Sequence, residues 1–194
     1  MKKLFILGIC LLLTSCFEIT EKIKHNSNQS GDYSLVIDFS SSWLKTKSAI
    51  LLEEVDGVSI PNEEDIKSKL AQFRADASKI KGTSKISTSY DFNTYVFKIN
   101  FSYNSIETLN AVLNTIDKKN SLVHFKNNNG RFERIASYPL PKITAVYTFD
   151  KDVATVQNPN SKLSKSKKTV FLKQNIWNVL NNNKLMNNSI SFNP

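Results

Sequence analysis

Pro61-Asn62-Glu63-Glu64-Asp65-Ile66-Lys67-Ser68-Lys69-Leu70-Ala71-Gln72-Phe73-Arg74-Ala75-Asp76-Ala77-Ser78-Lys79-Ile80-Lys81-Gly82 carries a helix signal at both ends. Asn62 is a capping residue, and three carboxylates fill a first turn whose exposed N–H groups favour negative charge. Ile66, Leu70, Phe73, Ala77 and Ile80 recur at steps of three and four and make one apolar stripe. Lys79 and Lys81 suit the last turn, and Gly82 supplies the left-handed stop. Two heptads are too few for a coiled-coil seam, so the stripe reads as a core face.

The flanks extend this pattern into a fold. Upstream, Tyr33, Leu35, Ile37 and Phe39 alternate as on a strand, and Ser40-Ser41-Ser42 caps a short helix through Trp43, Leu44, Ala49 and Ile50. Downstream, Ile86, Thr88 and Tyr90 alternate, Asp91-Phe92-Asn93-Thr94 turns, and Tyr95, Phe97, Ile99 and Phe101 alternate again. Asn104 and Glu107 have capping-box spacing, with Ile106, Leu109, Val112, Leu113 and Ile116 as the buried face of a second helix. Leu122 to Phe125 reads as a strand, Asn127-Asn128-Asn129-Gly130 as a hairpin turn, and Phe132 to Ile135 as the return. The order strand, helix, strand, strand, helix, strand is the split βαβ, ferredoxin-like one. The expectation is an α+β fold with the helices packed on one sheet and an added C-terminal β region. That region should cover the other sheet face. Its pieces are Ile143–Phe149, Val153–Val156, Thr169–Lys173, a short helix at Ile176, Trp177, Val179 and Leu180, and a last strand with Ile190 and Phe192.

The N-terminus says where the chain goes. Met1-Lys2-Lys3 precedes an apolar run from Leu4 to Leu13 that is short for a membrane span, then Leu13-Thr14-Ser15-Cys16. This is a secretory signal pattern, and its last four residues resemble the bacterial lipobox. The resemblance implies cleavage before Cys16, a diacylglycerol thioether on its sulfur and an acylated amine. The division expected is a signal peptide over 1–15, lipidated Cys16 with a flexible tether over 16–31, and one domain over 32–194. Two or more acyl chains suffice for stable anchoring.

Removing residues 1–15 from the 194 leaves 179, enough for one domain with a packed core. The 26 Lys and Arg, less Lys2 and Lys3, against 17 Asp and Glu leave a net charge of +7. Cys10 departs with the signal and Cys16 becomes a thioether, so no disulfide is expected. A basic chain raises nucleic acid as a partner, but an exported, membrane-tethered one meets anionic headgroups, polysaccharide or acidic proteins instead. No nucleic-acid partner is therefore expected. Lys162, Lys165, Lys167, Lys168 and Lys173 concentrate the charge. Lys162, Lys165, Lys167 and Lys168 are the candidate contacts to an anionic surface, with a solvated hairpin tip as the plain alternative.

Catalytic signals are thin. Ser42-Trp43-Leu44-Lys45 has the Ser-x-x-Lys spacing of serine acyl-enzymes, but the same spacing recurs at Ser78/Lys81 and Ser164/Lys167. Ser-Asp-Asn and Lys-Thr-Gly partner motifs are absent. His124 is the histidine a triad would use, and it reads better as a neutral strand residue. Two histidines in unrelated segments do not make a zinc site. Glu53, Glu54 and Asp56 lack calcium-loop spacing. Neither a metal nor another cofactor is expected, and no enzymatic activity.

Ser30-Gly31-Asp32-Tyr33, Leu35 to Ser40, Tyr147-Thr148-Phe149, Asn158-Pro159-Asn160 and Leu163 to Val170 resemble outer-membrane lipoproteins of the Bacteroidota. The resemblance covers nearly the whole mature chain. It implies attachment to the outer membrane through acylated Cys16, and it carries no catalytic residue. Glu18 and Glu21 are split by Ile19 and Thr20, so an acidic surface-export signal is incomplete and the face of the membrane stays open. The function expected is an accessory or interaction subunit of an outer-membrane protein complex. The alternatives are an envelope binding protein for an apolar ligand or polysaccharide, with Phe97, Phe101 and Leu113 lining a cavity, and then a cell-wall hydrolase using Ser42 and Lys45.

Overall fold

Residues Glu18–His25, expected as part of a tether, form strand β1 in the middle of the larger sheet. The computed structural model describes residues 18–52, 54–55, 58–116, 122–135, 144–175, 178 and 182–193. The signal peptide, Cys16, Glu53, Asp56, Trp177 and most of the short helix expected beside it lie outside the described residues.

β1 and β2 (Gly31–Asp38) make a hairpin. A 3-10 turn at Ser40–Ser42 leads into α1 (Trp43–Leu52), followed by the small hairpin β3 (Glu54–Val55) and β4 (Val58–Ser59). Then come α2 (Glu63–Ser78), β5 (Thr83–Asp91), β6 (Val96–Tyr103) and α3 (Ile106–Asn114). The remaining strands are β7 (Phe125–Asn128), β8 (Arg131–Arg134), β9 (Thr144–Phe149), β10 (Val153–Val156), β11 (Ser161–Leu163), β12 (Thr169–Lys173) and β13 (Asn188–Phe192).

The α+β class holds, and the ferredoxin-like order fails at one strand. The seven-stranded sheet runs β11-β12-β9-β1-β2-β6-β5. β2, β6 and β5 lie side by side as a split βαβ unit requires. The fourth strand of that unit should be β7, beside β2. β1 occupies that place, antiparallel to β2 from Glu18↔Asp38 to His25↔Gly31. β7 belongs instead to a second sheet, β10-β13-β8-β7. A β1–β2 hairpin forms through a short local turn, which wins the sheet edge over a distant strand. β9 then adds to β1 in parallel, from Thr20↔Thr144 to His25↔Phe149.

One face of the large sheet is buried and one is wet. Ile19, Glu21, Ile23 and His25 of β1 point inward with Tyr33, Leu35, Phe101, Tyr103, Ala145, Tyr147, Val170 and Leu172. Phe73 and Ala77 of α2 and Ile106, Leu109, Val112 and Leu113 of α3 join the same core. So do Phe125, Phe132 and Ile190 of the second sheet. The C-terminal β region thus covers the same face as the helices, not the opposite one. The outer face keeps Lys22, Lys24, Asp32, Lys98 and Phe171 exposed. It can stay wet because a mainly antiparallel sheet needs only one apolar face.

Local signals were read well at α2 and less well at α3. Asn62 accepts from Asp65 N–H at 2.9 Å and Asp65 returns the capping-box bond. Gly82 sits at φ +92°, and a Cβ there would lie 2.2 Å from Asn104 Oδ1. The cap of α3 is Ser105, not Asn104; the Ser105 hydroxyl accepts from Thr108 N–H at 3.2 Å. Ile116 is 40 % exposed and lies past the helix end. The β7–β8 turn is tighter than expected: Asn129 and Gly130 both have positive φ, which suits a two-residue hairpin loop.

Candidate functional site

The two ends of β1 mark two ends of the molecule. At the Glu18 end lie Asp38, Val96, Asp91 and Thr144, by strand register. At the His25 end lie Gly31, Tyr103, Phe149 and the start of β12. Eight residues at about 3.3 Å each separate them by about 26 Å.

A cleft of about 270 Å³ opens at the His25 end. His25, Phe132, Phe149 and Phe192 give it an aromatic floor, with rings 4.8–6.5 Å apart in adjacent pairs. Its rim is polar: Ser27 and Gln29, Asn127 and Asn129, Asp150 and Lys151, and Asn193. Three turns and the C-terminal strand build it, so side chains from both sheets converge. A Ser27–Asp150 clasp ties two of the turns. Both Asp150 oxygens accept from Ser27 N–H, at 3.0 and 2.9 Å, and Ser27 Oγ donates to Asp150 at 2.8 Å. The Ser27 backbone bond, ahead of the other contacts, holds the Asp150 carboxyl below the usual range.

His25 is buried in the floor, with Nδ1 3.0 Å from the Tyr103 hydroxyl. Burial lowers its pKa to about 4, against a smaller opposing pull from Asp150. Burial, then Asp32, raises the Tyr103 pKa. The contact is therefore between two neutral groups at pH 7. Serine, histidine and aspartate thus meet in this cleft, but with the wrong connectivity for a nucleophile. The Ser27 proton goes to Asp150, and the imidazole bonds Tyr103. A triad needs the imidazole to take the serine proton.

Behind the cleft, Glu21 and Arg134 form a buried ion pair, with Arg134 Nε donating to Glu21 Oε2 at 3.2 Å. Tyr33 donates to Glu21 Oε1 at 3.0 Å. Arg134 also donates to the carbonyls of His124, at 3.2 Å, and of Ile135. Burial by itself would lower the Arg134 pKa, but the Glu21 charge overcomes it and raises it. Burial and then Glu21 raise the Tyr33 pKa. The Tyr147 hydroxyl is buried in the same field, outside hydrogen-bonding geometry. Every charge here is matched, so the cluster is a structural staple between the sheets.

The sequence-predicted residues fall into four groups. Lys165, Lys167 and Lys168 are exposed at the tip of the β11–β12 hairpin, and Lys162 is exposed on β11. That tip lies at the cleft end: Phe149 N–H donates to the Lys168 carbonyl and Val153 N–H to that of Lys167. Ser42 and Lys45 sit in the 3-10 turn and α1, a segment whose helix buries no residue, and Ser42 Oγ donates to the Phe39 carbonyl. Ser78 and Ser164 are likewise held by Ala75 O and Ser166 Oγ. His124 is buried just before β7, with Nε2 3.3 Å from Asn114 Oδ1. Phe97, Phe101 and Leu113 each pack against other neighbours. Phe101 stacks on Tyr33 at 5.0 Å, Leu113 is in the core, and Phe97 packs on Phe39 and Phe92. Among the described residues, no three His, Cys, Asp or Glu side chains gather as a metal site. No described helix is long and apolar enough to cross a membrane.

Sequence reasoning missed His25 and Ser27, because residues 17–31 read as a tether, and Asp150, which follows a strand as an ordinary turn residue. The signal present was the alternation Ile19, Glu21, Ile23, His25. Its charged member broke the apolar pattern.

No family model matches the chain, and no curated protein matches it. Among solved structures, the NMR structure of the folded domain of the Mycobacterium tuberculosis LppM protein superposes with a TM-score of 0.45. The sequences are 10 % identical, and the match covers 92 % of each chain. No residue role follows from a likeness of that degree.

Proposed function

We propose that this chain is a lipid-anchored, non-enzymatic envelope protein. It holds the cleft away from its membrane, as an accessory or interaction subunit at the bacterial outer membrane. The observation that carries this reading is the course of β1. Its first residue, Glu18, stands two residues after Cys16, and its last, His25, forms the cleft floor. One rigid central strand therefore joins anchor and cleft at opposite ends. The partner that suits the cleft is a polar or acidic protein loop, given the amide rim and the lysines of the neighbouring hairpin.

Photo-crosslinking in native membranes tests it. A benzophenone amino acid at Asn129 should trap a specific envelope protein, and one at Lys98 on the open sheet face should not. Equal, nonspecific products from both positions would remove the subunit reading. The second reading is a polysaccharide binder, which the aromatic floor and amide rim favour over an apolar-ligand carrier. Glycan binding by the purified domain that His25→Ala or Phe132→Ala removes would select it.

A further inference from the structure

Helix α1 is apolar and packs on neither large sheet. Trp43 is 48 % exposed, Leu44 62 %, Leu51 74 % and Leu52 68 %, and no residue of the helix is buried. Trp43 and Ile50, and Leu44 and Leu51, are each seven residues apart, so they line two adjacent rows of one side, with Lys47 between them. Soluble chains rarely leave such a row in water without a use for it.

The place of α1 in the fold identifies what covers it. Cys16 lies two residues from Glu18, at most about 7 Å along an extended chain. Glu18 pairs with Asp38, and five further residues reach Trp43, at most about 18 Å away. Phe39 N–H donates to the Tyr95 carbonyl at 3.1 Å, which fixes the root of this excursion at the same end. The β5–β6 turn beside it adds Phe92 and the 46 %-exposed Tyr90, whose rings pack 5.0 Å apart. Trp and Tyr are the residues that favour the level of lipid headgroups.

We infer that α1 is a membrane-docking helix, seated in the interface of the phospholipid bilayer that carries the lipid on Cys16. This rests on the anchor reading above. Trp43, Leu44 and Leu51 enter the headgroup and acyl boundary, while Lys47 between them lifts its ammonium to the headgroups along its stem. Apolar burial, not charge, drives the contact. The anchor then fixes an orientation as well as a location. The lysine hairpin and the cleft point away, about 26 Å up the strand.

The test uses the mature lipidated chain as Trp177→Phe, which leaves Trp43 as its tryptophan. It is reconstituted in phosphatidylcholine vesicles, with or without phosphatidylglycerol, that hold lipids brominated near the glycerol. Trp43 emission should shift to the blue and be quenched, equally at low and high salt. Adding Leu44→Asp and Leu51→Asp should abolish quenching and leave the fatty-acid label on Cys16 and the melting temperature unchanged. A labelled chain whose Trp43 stays unquenched overturns the docking helix and leaves the anchor standing. So does a dimer in detergent that the double Asp variant dissolves, because a second copy then covers α1. Absence of label sinks the anchor reading instead. In that unanchored chain, quenching on vesicle binding still supports α1, and its absence removes both.

Discussion

Glu21 and Arg134 meet at 3.2 Å from opposite sheets, with 0 % and 3 % of their side chains exposed. The Arg134 guanidinium also lies 4.8 Å from the Phe125 ring centroid. A charge left alone at this depth loses its water and gains nothing in exchange. Removing one partner of such a pair costs about 3–5 kcal/mol, whereas replacing both with apolar residues is often neutral. Glu21→Leu or Arg134→Met alone should thus lower the urea midpoint sharply, and the double variant should recover most of the loss. Additive losses in the double variant would show that the pair is not the unit.

His25 makes stability depend on pH. Its folded pKa of about 4 lies below the ordinary 6.5, so the unfolded chain binds more protons between these values. Stability should rise with pH from about 4 to 6.5 and level off above, with a total contribution of up to about 3 kcal/mol. His25→Phe should flatten this part of the curve. An unchanged slope in denaturation series across that window would place the titration elsewhere.

The two helix stripes should respond unequally. Leu109 and Leu113 are buried, so Leu109→Ala should cost about 2–5 kcal/mol. Leu70 is half-buried on α2, and Leu70→Ala should cost less than Leu109→Ala. Chemical denaturation of both variants gives the order directly.

Gly31 is needed for space. A Cβ there would lie 2.1 Å from the Lys24 carbonyl oxygen and 2.4 Å from the Tyr103 hydroxyl. Gly31→Ala should lower stability by about 1–3 kcal/mol, the usual cost of overpacking. It should also disturb the His25–Tyr103 contact, seen as a changed His25 ring signal in NMR. A native-like spectrum and melting curve would mean that the hairpin shifts freely.

The lysine hairpin carries charge without holding the fold. Replacing Lys162, Lys165, Lys167 and Lys168 by Gln should leave the melting temperature nearly unchanged, since all four are exposed. Vesicle retention of the lipidated chain should also be unaffected, because the tip lies at the end opposite Glu18. Binding of an acidic partner at the cleft should weaken, and its salt dependence with it, as expected for exposed charges screened over about 10 Å at 0.1 M. Loss of vesicle retention would reverse the proposed orientation.

Residues 62–116 were legible in the sequence because their information is local. Asn62 and Asp65 cap α2 within one turn, Asp91 to Thr94 close a turn, and the Phe97–Ile99–Phe101 alternation declares a strand whatever surrounds it. Tertiary structure alone decided which strands become neighbours. Glu18–His25 carries charge at Glu18, Glu21, Lys22 and Lys24, and the distant Arg134, together with Tyr33, makes a buried Glu21 tolerable. The β1–β2 hairpin, with that ion pair beneath it, makes an apparent tether the central strand, leaves β7 to a second sheet and brings His25 beside Asp150. Trp43, Leu44 and Leu51 show the converse. They are apolar yet exposed, since a helix buries its apolar side only where the fold offers a matching face. Periodicity states what a segment can become; the long-range partners of its polar residues decide where it goes.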